Sequence, residues 1–281
     1  MRLEQWQEHW GHNLKEHYPE QEARSLLVMA LAHRMNFSAV DLVTQKEFDI
    51  SPGDLDWLDS VMKRLLNKEP IQQIIGFTWF CDQQFFVNSD VLIPRPETEE
   101  LVMSLRQKLK HSQVQTALDI GTGSGCIALS LATAMPQTQW YAWDVSPQAL
   151  ALAQKNQQQF ISQVNWQCQD ALGSWPDQGF DLIVSNPPYI PEEEQKSMDQ
   201  NVINFEPHLA LFVPSNDPLK FYRAISSKGF DHLNSGGQLY FECHYKYTQA
   251  VAQLMKTIGF DKVDPWKDQW GKWRFVSGVR P

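Results

Sequence analysis

The sequence predicts an α/β protein: a mostly parallel sheet covered by helices on both faces, preceded by a small all-helical domain. Three observations predict it. From Gln115 onward, short β-rich runs alternate with helical ones, the order a parallel sheet requires. Up to about residue 70 the apolar residues recur only at helical spacing. The chain has 281 residues, 42% of them hydrophobic, which is enough for a large packed domain and a small one rather than disorder.

In the first region Leu26, Leu27, Ala30 and Leu31 fall on one helical face. Ser38 is placed to cap the next short helix, because its hydroxyl can accept from free backbone N–H groups. Asp54–Lys68 reads as a further helix, with Leu55, Leu58, Met62 and Leu65 on its stripe and Pro52 just before it. After Pro70, Ile74–Phe80 and Phe85–Val87 are β-rich around Cys-Asp-Gln-Gln and predict a hairpin. Leu92-Ile-Pro-Arg-Pro96 is extended, because both prolines disfavour helix in the residues before them. Glu97–Lys110 reads as a helix. Strands follow at Thr116–Ile120, Gln139–Val145, Val164–Gln169, Asp181–Ser185 and Gln238–Cys243. The helices between and after them are Gly125–Ala134, Pro147–Gln159, Leu219–Leu233 and Thr248–Ile258. Phe260–Trp266 and Lys272–Val279 have strand character with no helix between, which predicts a closing antiparallel hairpin. The expected divisions are residues 1–72, a hairpin and linker over 73–96, and the α/β domain over 97–281.

The net charge is −9, shared between −5 over residues 1–110 and −4 over residues 111–281. A chain whose main task is gripping nucleic acid carries a basic face, so this balance counts against nucleic acid as the direct substrate. MRLEQWQEHW is followed by no apolar signal core, and no run approaches the roughly 18 apolar residues of a membrane span. Cys81, Cys126, Cys168 and Cys243 are scattered without a CxxC pair or a histidine cluster. Reduced thiols, no metal site and a cytoplasmic setting away from membranes are therefore expected.

Ala117-Leu-Asp-Ile-Gly-Thr-Gly-Ser-Gly125 joins a strand to a helix. Its glycines, Gly121, Gly123 and Gly125, allow positive φ and close approach to a ligand, and the helix beyond offers free N–H groups. A dinucleotide fingerprint would place glycine or alanine at position 126, where this chain has Cys126, so a nicotinamide oxidoreductase is disfavoured. The loop, with Thr122 and Ser124, suits a cofactor without a pyrophosphate, and S-adenosyl-L-methionine fits the acids around it. Asp119 at the first strand end is placed to receive its ammonium. Asp144, which ends the second strand beside Val145, is placed to accept its ribose hydroxyls. Asp170, ending the third strand, can accept from the adenine amino group, with Ala171 beside the ring. Each acid alone reads as an ordinary cap or loop residue. It is their succession after three consecutive strands that points to one crevice.

Asn186-Pro187-Pro188-Tyr189 directly follows the fourth strand. The prolines hold the loop stiff and remove two N–H donors, leaving a turn rich in acceptors. The Asn186 side chain and the Pro187 carbonyl can accept both hydrogens of a planar NH₂ group, and Tyr189 can stack on its plane. Such acceptors push electron density back onto a delocalised nitrogen and aim it at a methyl carbon. Asn186, Pro187 and Tyr189 are the expected catalytic residues, and all four positions are expected to bind substrate, with Asn186 also beside the cofactor.

These motifs resemble class I methyltransferases of the amino-methylating branch. Glu69-Pro70 with Ile75-Gly76, Leu92-Ile-Pro-Arg-Pro-Glu-Thr-Glu99, and Phe205-Glu-Pro207 with Ala210-Leu211 are similar to the release factor glutamine methyltransferases (PrmC/HemK). The resemblance implies a seven-stranded, mostly parallel Rossmann-like methyltransferase sheet behind a helical substrate-recognition domain. It also implies methylation of N5 of the glutamine in the GGQ motif of bacterial class 1 peptide chain release factors. Arg95, Glu97 and Glu242 are then candidate contacts to cofactor or substrate, although a linker ion pair explains Arg95 and Glu97 equally well. The chain departs from the family at Glu242-Cys-His244-Tyr-Lys-Tyr247, which keeps the glutamate but not the following glycine and glutamine. Asp268, Gly271 and Arg274 read as a structural turn, and His208, His232 and His244 as ordinary histidines. The rival readings are N5-glutamine methylation of a ribosomal protein, adenine-N6 or guanine-N2 methylation of nucleic acid, and a non-catalytic interaction protein on the same fold.

Overall fold

The computed structural model describes residues 1–38, 40–110 and 112–281, which form two units: Met1–Gly76 with Asp199–Phe205, and Phe77–Met198 with Glu206–Pro281.

The first unit is helical: α1 (Leu3–Lys15), α2 (Glu20–Met35), α3 (Asp41–Thr44), α4 (Pro52–Leu66) and α5 (Ile71–Ile75). Its core forms where the apolar stripes meet: Leu3, Trp6, Trp10 and Leu14 of α1, Leu27 and Leu31 of α2, and Leu58, Met62 and Leu65 of α4. The indole N–H groups of Trp6 and Trp10 both donate to Asp59 Oδ1, at 2.9 and 2.8 Å, so two large aromatics are buried without stranding a donor. Ser51 caps α4 through Asp54 N, with Pro52 at the first helical position, which starts that helix two residues before the predicted Asp54. Ser38 Oγ accepts from Asp41 N at 3.2 Å at the head of α3.

The second unit runs in chain order through β1 (Phe77–Phe80), β2 (Gln83–Phe86), α6 (Pro96–Lys108), β3 (Thr116–Ile120), α7 (Cys126–Ala134), β4 (Gln139–Asp144), α8 (Pro147–Gln157), β5 (Val164–Cys168), β6 (Phe180–Ser185) and β7 (Ile190–Pro191). It continues through α9 (Gln200–Phe205, assigned to the first unit), α10 (His208–Leu211), β8 (Phe212–Val213), α11 (Lys220–His232), β9 (Leu233–Glu242), α12 (Thr248–Ile258), β10 (Asp261–Lys267) and β11 (Trp273–Val279). The main sheet has seven strands in the order β10-β11-β9-β6-β3-β4-β5. The five strands from β9 to β5 are parallel, and β11 runs antiparallel to both of its neighbours. One apolar layer packs α6 and α7 on the sheet around Leu118's neighbours Ala117, Leu182 and Val184, and the opposite layer packs α11 and α12 around Leu118, Ile183 and Leu239. This is the α/β class with a mostly parallel sheet that the sequence predicts.

Several boundaries differ. Ile74 and Ile75 lie in α5 rather than in a strand, because they pack on the helical core and Gly76, at φ 85°, closes the helix before β1. The hairpin then turns on Cys81-Asp82 alone, both at positive φ (50° and 61°), and its second strand is Gln83–Phe86, without Val87. Helix α6 starts at Pro96 and ends at Lys108. Helix α7 starts at Cys126, since Gly125 is its left-handed cap. Strand β5 ends at Cys168, which puts Asp170 in the following loop. Strand β9 begins at Leu233, five residues before the predicted Gln238, with Gly236 at φ 80° in its irregular start.

Candidate active site

The strand order sets the place of the site. From β3 the chain moves to β4 on one side of the sheet, and from β6 to β9 on the other. The carboxyl ends of these two neighbouring strands flank the reversal point, where open sheets of this kind bind ligands. A cleft with about 1090 Å³ of empty space, part of it open to solvent, lies there and is lined by both loops.

Gly121, Gly123 and Gly125 have φ of 74°, 54° and 81°, which curls the loop so that Gly121, Thr122, Gly123 and Ser124 line the cleft. Two acids hold this curl. Asp144 accepts from Gly123 N and Ser146 N, each at 2.9 Å, and also lines the cleft. Burial raises its pKa against those two N–H bonds. Asp119 is fully buried and lies behind the loop rather than among the lining residues. Its Oδ2 accepts from Thr122 Oγ1 at 2.6 Å and from Ala128 N at 3.2 Å. Burial pushes its carboxyl up to about 7, and Oδ1 has no partner. Ser124 Oγ is likewise buried, with only the weakly bonding Cys126 thiol beside it. A curl of left-handed glycines with an unused carboxylate oxygen and a weakly engaged hydroxyl is a cradle with polar capacity to spare for a ligand carrying an ammonium and a carboxylate.

Asp170, Ala171 and Val145 line the far part of the cleft. Asp170 Oδ1 accepts from Leu172 N at 2.8 Å. The Ala171 carbonyl is held by Trp175 Nε1 at 3.1 Å and Lys228 Nζ at 3.0 Å, so this loop is tied down from below.

At the other wall Asn186, Pro187 and Pro188 line the cleft directly after β6. Asn186 Nδ2 donates to Thr98 Oγ1 at 3.1 Å, and Thr98 Oγ1 donates to Glu242 Oε2 at 2.6 Å. Tyr189 is not among the lining residues. Its phenol donates to Glu242 Oε1 at 3.3 Å, while burial and that carboxylate push its own ionisation well up. Glu242 is itself buried and raised to about 7, chiefly by desolvation, with the Thr98 hydroxyl and the Arg274 guanidinium opposing.

Arg95 does not reach the cleft. It pairs with the buried Glu206, whose second oxygen accepts from Ile93 N at 3.2 Å. Glu97 is also outside the lining, though its charge is felt at Tyr189, Glu242 and Arg274. His244 is buried beside the end of β9. Its ring stacks on Tyr245 with centroids 4.7 Å apart and meets Tyr189 edge-on, and Nε2 lies 3.3 Å from Glu194. Asp268 organises the β10–β11 turn, accepting from Trp270 N, Lys272 N and Arg274 Nε, with Gly271 at φ 80°. Thr98 is the residue that motif reading passed over. Its place inside Pro94-Arg-Pro-Glu-Thr-Glu99 was the available signal. The apolar roof supplied by Leu92, Leu209 and Phe221 carried none.

Two families match the chain: the PrmC N-terminal domain over residues 5–76 and the Methyltransferase small domain over residues 98–208. The release factor glutamine methyltransferase of Bacteroides thetaiotaomicron is 40% identical, with 95% of this chain and 96% of that protein covered. That of Flavobacterium psychrophilum is 40% identical over 92% and 93%, and that of Lactococcus lactis 43% over 87% and 89%. Among solved structures, a methyltransferase from Pyrococcus furiosus matches with a TM-score of 0.53 at 18% identity, covering 79% of this chain and 98% of that one. The T. thermophilus 16S rRNA N2 G1207 methyltransferase matches with a TM-score of 0.53 at 16% identity over 73% and 50%. At such identities the two structures speak for the fold alone. The sequence relatives, matched over nearly their whole length, go further, and by them this chain belongs to the release factor glutamine methyltransferase family.

Proposed function

We propose that this enzyme transfers a methyl group from S-adenosyl-L-methionine to N5 of the glutamine in the GGQ motif of bacterial class 1 peptide chain release factors, in the cytoplasm. The observation that carries the reading is the pairing of two walls in one cleft: a glycine cradle with spare polar groups, and a donor-poor Asn-Pro-Pro turn beside it. The bound cofactor supplies an electrophilic methyl carbon. Gly121–Gly125, with Asp119 behind them, hold its amino-acid end. Asp144 takes the ribose hydroxyls beside Val145, and Asp170 and Ala171 flank the adenine. Asn186 Oδ1 and the Pro187 carbonyl accept the two amide hydrogens, which localises the nitrogen lone pair and aims it in line with the methyl. Pro188 keeps the turn stiff, and Tyr189 supports it through Glu242. Arg95 ties the segment before α6 to Glu206, and Glu97 in the first turn of α6 lies outside the cleft lining, so neither touches the cofactor. We further propose that the helical residues 1–72 recognise the release factor.

The test is methyl transfer from radiolabelled cofactor, offered separately to a release factor, a ribosomal protein and RNA, followed by mapping of the labelled peptide. Label is expected on the release factor glutamine. Label confined to RNA or to the ribosomal protein would overturn the substrate assignment.

A further inference from the structure

A side-chain carboxamide can face a ligand either way round, and only one way serves the reaction proposed for Asn186. An oxygen toward the cleft accepts the substrate NH₂, whereas an NH₂ toward the cleft repels it. The choice is made by Thr98, at the cleft wall, and by Glu242 behind it. Thr98 has a single hydroxyl proton, and it goes to Glu242 Oε2 at 2.6 Å. Thr98 Oγ1 can then only accept, so the Asn186 atom 3.1 Å away must be the donor Nδ2. Glu242 keeps this polarity while it is ionised, because both its oxygens then accept a hydroxyl proton, the second from Tyr189 at 3.3 Å. Thr98 is 3% exposed and Glu242 1% exposed, so each is held chiefly by protein partners, although Thr98 borders the cleft. Helix α6, strand β9 and the turn after β6 each contribute one member of the chain.

We infer that Thr98 and Glu242 are positioning residues that fix the carboxamide of Asn186 with Oδ1 toward the methyl acceptor. The inference rests on the reading that Asn186 holds the substrate amide. It gives the buried acid that ends β9 a task.

The experiment compares T98V, T98S, N186A and the double variant T98V/N186A in single-turnover methylation of release factor, with cofactor affinity measured separately. N186A is expected to slow turnover by about 10²-fold, the loss of one catalytic hydrogen bond. T98V, which keeps the shape but cannot accept, should slow it by about 10-fold or more with cofactor affinity within about threefold of the native enzyme. T98S should restore turnover to within about threefold. The double variant should be no slower than N186A, since residues acting as one unit are not additive. An activity-free readout accompanies these rates: the Asn186 carboxamide proton pair, identified by its loss in N186A spectra, should exchange with water faster in T98V than in the native protein. If T98V folds poorly, E242Q is read in the same assays. Its amide can donate to Thr98, which frees the hydroxyl to turn toward Asn186 and should slow turnover without weakening cofactor binding. Slow N186A beside native-like T98V, or an unchanged carboxamide exchange rate in T98V, overturns the positioning role alone. Native turnover in N186A overturns the substrate reading and this inference together.

Discussion

Gly125→Ala is expected to destabilise the second unit far more than Gly123→Ala, although both glycines sit in the same five-residue loop. Gly125 has φ 81°, and a Cβ there would lie 2.9 Å from Trp166 Cη2, 3.2 Å from Ala153 Cβ and 3.3 Å from Leu129 Cδ1. The left-handed backbone costs an alanine about 1–2 kcal/mol. Forcing a methyl into a packed contact adds about 1–3 kcal/mol, because the indole edge and the α8 backbone must both yield. The sum, roughly 2–5 kcal/mol, is a large part of the ~5–15 kcal/mol that holds a domain together. Gly123 has φ 54° but meets nothing within 4 Å, so its alanine bears the backbone cost alone. Urea titration followed by circular dichroism measures the difference. With a slope of about 1–3 kcal/mol per molar, the extra packing cost should put the Gly125→Ala midpoint roughly 0.3–3 M below that of Gly123→Ala. Equal midpoints, or the reverse order, would show that the Trp166 contact does not restrain the loop.

Asp119 and Arg95 yield two further tests. Asp119 is raised to about 7 in the folded chain against an ordinary value of 3.8, so between pH 4 and pH 7 the folded state holds a proton that the unfolded state has released. Its contribution is therefore present in full below pH 4 and is lost as pH rises to 7, at up to about 1.4 kcal/mol per pH unit. Asp119→Asn should make unfolding free energy fall less steeply between pH 5 and pH 7 than in the native protein. Parallel pH profiles would contradict the burial argument. Arg95→Ala strands the buried Glu206 carboxylate and should cost up to about 3 kcal/mol in thermal or urea unfolding, with cofactor affinity within a few-fold of native. A collapse of cofactor affinity at native stability would instead place Arg95 at the ligand.

The sheet was legible because its strands and helices carry distinct periods, and the loops that bear chemistry sit at their junctions. The glycine loop, Asp144 and Asn186–Pro188 could be named from spacing, since a loop that follows a strand directly opens at the sheet's carboxyl edge. The misread elements share a cause. Ile74 and Ile75 have the β-branched shape of strand residues, yet a helical core and the left-handed Gly76 claim them. Around Asp119 the spacing was silent on one point only: the curl of the glycines brings Thr122 and Ala128 onto its Oδ2.

By itself the amino-acid order determined the strand–helix alternation, the left-handed curl after Ile120 and the acceptor-rich turn after Ser185, because each depends on neighbours a few residues apart. Only the tertiary structure decided that Asn186 meets Thr98, 88 residues away, that Thr98 meets Glu242, 144 residues away, and that Arg95 pairs with Glu206. Those partners are brought together by the strand order, in which β6 lies between β3 and β9. No local pattern encodes that order. It follows from which apolar faces must be covered on the two sides of one sheet.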